Sequence, residues 1–159
     1  MPLKASTINA TAERIASAPS YRDPWRRGQR CIFAMGGFYE PHVSADGSRE
    51  PFFLRLVNAE VFGVAGIWER SRRADGSYLF SCTLITVPAN RLLAEVHNDK
   101  QRMPAILAAN DYDAWLGGST DDAQALLKPY PDELMTAWKV SRRVNSPRLP
   151  NDASLIERV

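Results

Sequence analysis

Short apolar runs separated by polar turns dominate the first half of the chain. Residues 31–35 form such a run, which contains β-branched and aromatic side chains and ends at Gly36 and Gly37. A run of this length and composition is typical of a buried strand that ends in a tight bend. Glu40 follows two aromatic residues and is succeeded at once by Pro41. The segment therefore predicts a strand that presents one carboxylate near its end.

Turn signals divide the following residues into further strands. The dipeptides Asp46-Gly47 and Asp75-Gly76 are typical of hairpins. We expect strands over residues 52–57 and 60–68 to pair across a short turn, and a long strand to cover 78–87. Four strands joined by short turns indicate a mainly antiparallel sheet that curls towards a barrel.

Short helices are predicted to flank this sheet. The expected helical segments are the latter part of 1–18, then 20–29, 91–96, 111–116 and 120–127. The last of these begins with Ser119 and Asp122, which have the spacing of a capping box. A final strand over 134–144 and a polar tail from about residue 145 complete the pattern. The fold class is therefore α+β, in a single domain over residues 1–159.

Composition and charge are those of an ordinary globular protein. Of the 159 residues, 45% are hydrophobic and 24% are charged, and the net charge of +2 permits an anionic partner without requiring one. Arginines occur in adjacent pairs that form either a solvated face or a phosphate-binding surface. No signal peptide or membrane-spanning run is present, which favours a cytoplasmic protein without a membrane partner. Cys31 and Cys82 lie in apolar strands and are predicted to be reduced and buried.

Few residues remain as candidates for chemistry once standard motifs are excluded. The two histidines and two cysteines have no recognised ligand spacing, so neither a metal nor a cofactor is predicted. Glu40 is either a solvated surface acid or a carboxylate held in a pocket. His97 is either a histidine stabilised at a helix end or a catalytic group. Asn9 is either a local cap or part of a site.

Several motifs in this order resemble the SOS response-associated peptidase (SRAP) family over nearly the whole chain. Each motif is short, but their ordered set is specific. They are INA at 8–10, RGQRCI at 27–32, GFYE at 37–40, AGIWE at 65–69, TVPAN at 86–90, VH at 96–97 and RMPAIL at 102–107. The segment from 140 to 145 also fits the family.

The resemblance implies an SRAP fold and recognition of abasic sites in single-stranded DNA. Family members use a cysteine directly after the initiator methionine, whose amine and thiol form a thiazolidine with the sugar aldehyde. By resemblance, Asn9 orients the amino-terminal residue and Glu40 shuttles protons. His97 stabilises the developing sugar oxygen or assists ring opening. The arginines expected to contact DNA are Arg26, Arg27, Arg102 and Arg142.

This sequence also departs from the family pattern. Residue 2 is Pro2 instead of cysteine, Thr11 replaces an arginine, and Pro41 replaces a tryptophan that stacks on DNA. A short insertion-like loop covers residues 98–101. The segment that the family has between its cysteine and Asn9 is missing, so we expect the chain to represent the last two-thirds of the domain. An exposed apolar sheet edge, with self-association through it, is expected in consequence.

Three functional hypotheses follow. The first is an SRAP-type enzyme that acts on abasic single-stranded DNA, although without the cysteine it is not expected to form a durable crosslink. The second is a non-catalytic protein that binds single-stranded nucleic acid. The third is a small α+β hydrolase that uses Glu40 and His97.

Overall fold

Strands and short helices alternate through residues 8–159, the part of the chain that the computed structural model describes. The strands are β1 (Asn9–Thr11), β2 (Arg30–Met35), β3 (Phe38–Val43), β4 (Arg49–Leu56), β5 (Phe62–Arg72), β6 (Tyr78–Pro88), β7 (Arg102–Pro104), β8 (Ile106–Leu107) and β9 (Met135–Lys139). The α-helices are α1 (Arg22–Arg26), α2 (Arg91–Val96), α3 (Tyr112–Gly117) and α4 (Thr120–Leu126). Short 3₁₀ helices cover Ala109–Asp111, Asp132–Leu134, Arg142–Asn145 and Ala153–Ile156.

These elements form two compact units. Unit 1 contains the residues up to Ala34 together with Phe62–Val87 and Pro104–Pro129. Unit 2 contains Met35–Val61, Pro88–Met103 and Tyr130–Val159. Each unit therefore draws on three separate stretches of the chain. The prediction of a single domain over residues 1–159 stays a prediction.

In unit 1 the sheet is built around the long β5–β6 hairpin. The strand order is β1-β6-β5-β2, and β8 also pairs with β5. β1 runs parallel to β6, with Asn9 opposite Leu84. The helices pack through two buried tryptophans, Trp25 and Trp115, whose ring centroids lie 6.1 Å apart. The Arg30 guanidinium donates to the backbone carbonyls of Trp115 and Gly118, which ties β2 to the α3–α4 connection.

In unit 2 an antiparallel sheet of three strands carries helix α2. The strand order is β3-β4-β9, and Glu40 on β3 lies opposite Phe52 on β4. Asn90 caps the start of α2 by accepting a hydrogen bond from the Leu93 amide at 2.8 Å. Such a cap satisfies a backbone donor that the helix itself leaves unpaired. The core of this unit is aliphatic and includes Leu54, Leu93, Met103, Met135 and Val140.

The α+β class and several local predictions are confirmed. Hairpin turns occur at both Asp-Gly dipeptides, where Gly47 and Gly76 adopt positive φ angles of 81° and 86°. Helix α2 covers the predicted residues 91–96, and the capping box between Ser119 and Asp122 begins α4. Each of these features is specified by a few neighbouring residues, which explains why the sequence predicts them well.

The predicted pairing between residues 52–57 and 60–68 is wrong. β4 pairs with β3 and β9, whereas β5 pairs with β6 and β8. The first six residues of β5 are all buried, which is typical of a central strand with neighbours on both sides. The long β6 strand, joined to β5 by the tight turn at Asp75 and Gly76, satisfies that requirement better than β4.

Three further predictions need correction. Residues 12–17 form turns instead of a helix, and Asn9 lies on a strand instead of at a helix cap. A helical segment this short, which Pro19 closes, is marginal without strong packing. The last strand ends at Lys139, and Ser141 caps a 3₁₀ helix by accepting from the Arg143 amide. Residues 1–7, including Pro2, lie outside the described residues.

The predicted burial of both cysteines is correct only in part. Cys31 and Cys82 are free thiols; Cys31 is half-buried, whereas Cys82 is exposed on β6. Cys82 is exposed because every residue from Arg70 to Cys82, on the outer part of the β5–β6 hairpin, is exposed. Within residues 8–159, no helix is both long enough and apolar enough to cross a membrane.

The first prediction concerns Gly37, which lies directly before β3. A Cβ atom at this position would overlap the Phe53 ring and come within 2.8 Å of the Leu54 carbonyl oxygen. We expect Gly37→Ala to lower the free energy of unfolding by about 2 kcal/mol, as measured by urea denaturation. Gly117→Ala is the matched control, because a Cβ there meets no atom within 4 Å. Equal effects of the two substitutions would contradict the prediction.

The second prediction concerns the two thiols. Burial raises the pKa of Cys31 to about 11, so at pH 8 only about a thousandth of it is the reactive thiolate. We therefore expect an alkylating reagent to label exposed Cys82 rapidly and Cys31 slowly in the folded protein. Mass spectrometry of the wild type and of Cys82→Ser distinguishes the two sites. Rapid labelling of the Cys82→Ser variant would show that Cys31 is accessible.

Candidate active site around Glu40 and His97

Strand β3 of unit 2 holds the end of helix α2. Glu40 and His42 point to the same face of β3 because alternate residues of a strand share a face. The Nδ1 atom of His42 lies 3.1 Å from the Glu95 carbonyl oxygen and 3.2 Å from that of Val96. A carbonyl oxygen can only accept, so this ring nitrogen donates to the last carbonyls of the helix. His97, the next residue along the chain, is thereby brought to Glu40.

Glu40 and His97 form a largely buried contact. The Nδ1 atom of His97 lies 3.3 Å from the Glu40 carboxylate and 3.1 Å from the Arg102 carbonyl oxygen. The side chains are 9% exposed for His97 and 21% exposed for Glu40. The His97 amide also donates to the Leu93 carbonyl at 2.7 Å, which fixes its backbone to the last turn of α2. The structure thus brings together two of the residues singled out from the sequence.

The loop at residues 98–101 is anchored on both of its sides. The Asn98 side chain accepts from the Val43 amide at 3.0 Å and donates to the Val43 carbonyl at 2.9 Å, as a neighbouring strand would. Gln101 adopts a left-handed φ of 51°, and its amide donates to the His97 carbonyl at 2.9 Å. A non-glycine residue in this conformation requires support from its surroundings. The loop therefore has a defined shape.

Asp99 faces the other side of the His97 ring. One of its carboxylate oxygens lies 3.3 Å from His97 Nε2, and the other lies 3.1 Å from the Arg49 guanidinium. Both ring nitrogens therefore face acceptors, Asp99 on one side and Glu40 with the Arg102 carbonyl on the other. Asp99 and Arg49 thus set the orientation of His97.

The environment of Glu40 favours its protonated form. Burial raises the pKa of the Glu40 carboxyl, and the negative charge of Asp99 raises it further. The positive charges of His97 and Lys100 act in the opposite direction but do not cancel the effect of burial. A carboxyl group of this kind can give up and take back a proton closer to neutral pH than an ordinary glutamate can.

A cleft of about 150 Å³ leads to Glu40 within unit 2. Its lining residues are Tyr39, Glu40, Pro41, Arg49, Pro51 and Asn145. Glu40 is one of the residues that line this cleft, and its side chain is 21% exposed. The strand thus presents Glu40 both to His97 and to solvent-accessible space.

The other residues predicted from the sequence lie on different elements. In unit 2, Arg102 begins β7 and is half-buried, and Arg142 is exposed in a 3₁₀ helix. In unit 1, Arg26 is exposed at the end of α1, and Arg27 forms an ion pair with Glu69 at 2.5 Å. Asn9 lies on β1 of unit 1, so its role beside Glu40 stays a prediction.

Sequence reasoning missed the residues that orient His97. Asp99 and Asn98 belong to the loop that was interpreted only as an insertion, and Arg49 was not singled out. A carboxylate two residues after a candidate histidine was the signal that could have identified Asp99. Among residues 8–159, no group of three or more His, Cys, Asp or Glu side chains is arranged to hold a metal ion.

The chain belongs to a known class of proteins. The family model for SOS response associated peptidase (SRAP) matches residues 2–147, so the chain belongs to the SRAP family. It is 36% identical over 153 residues to abasic site processing protein YoqW of Bacillus subtilis, covering 94% of this chain and 66% of YoqW. The chain is 28% identical to abasic site processing protein HMCES of Rattus norvegicus and spans 48% of its length.

Solved structures agree with the family assignment. A crystal structure of a protein from Bacteroides thetaiotaomicron superimposes with a TM-score of 0.90 at 30% sequence identity. The match covers 96% of this chain and 66% of that protein. The chain therefore spans about two-thirds of the length of YoqW and of this structural relative.

The third prediction uses the raised pKa of Glu40. Because the folded state binds this proton more tightly than the unfolded state, Glu40 makes the protein less stable as pH rises above the usual carboxyl range. Glutamine mimics the protonated acid, so we expect Glu40→Gln to gain stability relative to the wild type between pH 4 and pH 8. Urea denaturation at several pH values measures this difference.

Glu95→Gln is the matched control for this experiment, since Glu95 is exposed on α2. Its effect on the free energy of unfolding should be nearly independent of pH. If Glu40→Gln instead lost stability relative to the wild type as pH rose, the attraction of His97 would outweigh burial, and the assigned direction would be wrong.

Proposed function

We propose that this chain acts on abasic sites in single-stranded DNA, with Glu40 and His97 transferring protons at the opened sugar. The observation that carries the proposal is the largely buried contact between these two side chains, in which the Glu40 side chain keeps 21% exposure. Membership of the SRAP family and relatives named as abasic site processing proteins support the choice of substrate.

The chemistry of an abasic sugar explains the need for such a pair. Its ring-opened form carries an aldehyde, to which an amine adds to give a carbinolamine. Loss of water from the carbinolamine requires a proton donor and leaves an iminium ion. Removal of a proton from the neighbouring carbon then expels the 3′ phosphate and cuts the strand. A carboxyl group with a raised pKa, such as Glu40, can serve first as acid and then as base.

His97 supports this chemistry by stabilising charge on the sugar oxygen. The ring is oriented from one side by Asp99, which in turn pairs with Arg49. The acidic residue of a catalytic triad likewise holds the histidine of the triad in one orientation. We assign Asp99 and Arg49 as positioning residues, because they act through His97.

The arginines Arg26, Arg27, Arg102 and Arg142 are proposed to contact the DNA backbone. Arg26 and Arg142 are exposed, as a phosphate contact requires. Arg27 forms an ion pair with Glu69, so contact with a phosphate would replace that pair. Such contacts contribute affinity that falls as salt concentration rises.

A thiazolidine requires an amine and a thiol on the same amino-terminal residue. In a protein that begins at Pro2, the proline amine can form an iminium ion with the sugar aldehyde but cannot close that ring through sulfur. For such a protein we propose a transient adduct that ends in hydrolysis or strand scission.

The fourth prediction tests this chemistry with a labelled oligonucleotide that contains one abasic site. For a protein prepared to begin at Pro2, we expect a covalent band on a denaturing gel only when borohydride is present, because borohydride reduces the iminium ion to a stable amine. Glu40→Gln should slow both trapping and scission by about 100-fold, and His97→Gln should slow them comparably. Asp99→Asn should cause a smaller loss, about tenfold, and should change the pH profile.

Glu95→Gln, which removes an exposed carboxylate from the same unit, should react like the wild type. A heat-stable band without borohydride would contradict the proposed absence of a crosslink. Equal rates for Glu40→Gln and the wild type would contradict the role of Glu40. Salt-dependent binding with no trapping and no scission would identify the chain as a non-catalytic nucleic-acid-binding protein instead.

A further inference from the structure

The outer half of the β5–β6 hairpin in unit 1 presents arginines and aromatic residues on one face. The strand register places Trp68 opposite Cys82, Arg70 opposite Phe80 and Arg72 opposite Tyr78. Directly opposed residues, and residues two apart along a strand, share a face of a sheet. We call this surface the hairpin face and define it by Trp68, Arg70, Arg72, Tyr78 and Phe80.

The side chains of the hairpin face are exposed although they are large and partly apolar. Phe80 is 65% exposed and Tyr78 is 52% exposed. The Arg70 guanidinium lies 4.6 Å from the centre of the Tyr78 ring, and the rings of Trp68 and Phe80 are 6.2 Å apart. These contacts hold the side chains in place at little further entropic cost on binding.

The charged residues of the hairpin indicate whether its binding partner is anionic or cationic. The hairpin face carries two arginines and no acidic residue. Glu69 points to the opposite face, where it is paired with Arg27. Asp75 lies in the turn, where it accepts hydrogen bonds from Ser77. The hairpin face is therefore positively charged and suits an anionic partner that also offers flat apolar groups.

A second copy of this chain does not meet these requirements. In a two-fold contact through the hairpin face, the same patch would meet itself. Arg70 and Arg72 of one copy would then lie against the arginines of the other, without an acidic residue on that face to compensate. Burial of such like charges is unfavourable.

We propose that the hairpin face binds single-stranded nucleic acid, with Phe80 stacking on a base and Arg70 and Arg72 contacting phosphates. Alternate strand residues such as Tyr78 and Phe80 are about 6.8 Å apart, twice the 3.4 Å step of a stacked strand in a duplex. That spacing suits an extended strand with separated bases. Aromatic side chains within a basic surface bind single strands with little sequence preference.

This surface belongs to unit 1, whereas Glu40 and His97 belong to unit 2, and the binding proposed for it needs no abasic site. Its test therefore uses an undamaged, fluorescently labelled oligonucleotide of 20 thymidines, so that its outcome does not depend on the reaction proposed above. Fluorescence anisotropy over a range of salt concentrations gives both the affinity and its salt dependence.

The fifth prediction compares two neighbouring residues on opposite faces. Phe80→Ala should weaken binding by about fivefold or more, because stacking on one base is lost. Leu79→Ala is the matched control: Leu79 is adjacent on β6, is 43% exposed and points to the other face. It should leave the affinity within about twofold of the wild type. Unchanged melting temperatures would confirm that both variants are folded.

The two arginines of the hairpin face should determine how steeply the affinity for the oligonucleotide falls as salt concentration rises. Arg70→Gln and Arg72→Gln should each reduce the slope of log affinity against log salt by about 0.7, whereas Phe80→Ala should leave it unchanged. Arg91→Gln, which removes an exposed arginine from unit 2, is the control.

The proposal would be overturned if the full chain did not bind the oligonucleotide, or if Phe80→Ala and Leu79→Ala had equal effects. Loss of self-association in Phe80→Ala with unchanged DNA binding would also overturn it, in favour of a contact between copies.

Discussion

The candidate site depends on the position of one imidazole ring between two carboxylates. His97 follows the last turn of α2 and contacts Glu40 on one side and Asp99 on the other. Placing three titratable groups together in a partly buried site is unfavourable unless their hydrogen bonds are satisfied. The surrounding structure provides these bonds: His42 holds the helix end, Arg49 pairs with Asp99, and the Arg102 carbonyl accepts from the ring.

The sequence predicted the parts of this site that local patterns specify. The strand that carries Glu40 was predicted from the apolar run before it and the paired glycines, and helix α2 was predicted at the bounds it has in the structure. The resemblance to the SRAP family connected Glu40 with His97, which no spacing argument could do, since they are 57 positions apart in the sequence. The sequence did not predict Asp99 as a partner, because a polar loop of four residues has many conformations. The anchoring of that loop by the backbone of Val43 depends on tertiary structure.

Strand pairing was the least predictable part of the fold. A short turn between β4 and β5 suggested that these two strands pair. Instead, β4 pairs with β3 and β9, and β5 lies between β6 and β2. Pairing depends on the burial of whole faces and on long-range neighbours, so turn residues alone do not determine it. The same limit explains Cys82, whose apolar sequence neighbours suggested a core position. The hairpin extends beyond the core, and this extension exposes the aromatic residues of the hairpin face.

The way in which residues 98–101 are anchored has a consequence for protein engineering. Asn98 joins Val43 on β3, and Asp99 joins Arg49 on β4, while Gln101 closes the loop through a left-handed conformation. Deleting one residue would shift the remaining side chains out of register with both strands at once. A chimera that takes this loop from a relative should therefore also take the residues at the positions of Val43 and Arg49 from the same relative. Exchange of the loop alone would leave the imidazole with only Glu40 and the Arg102 carbonyl to orient it.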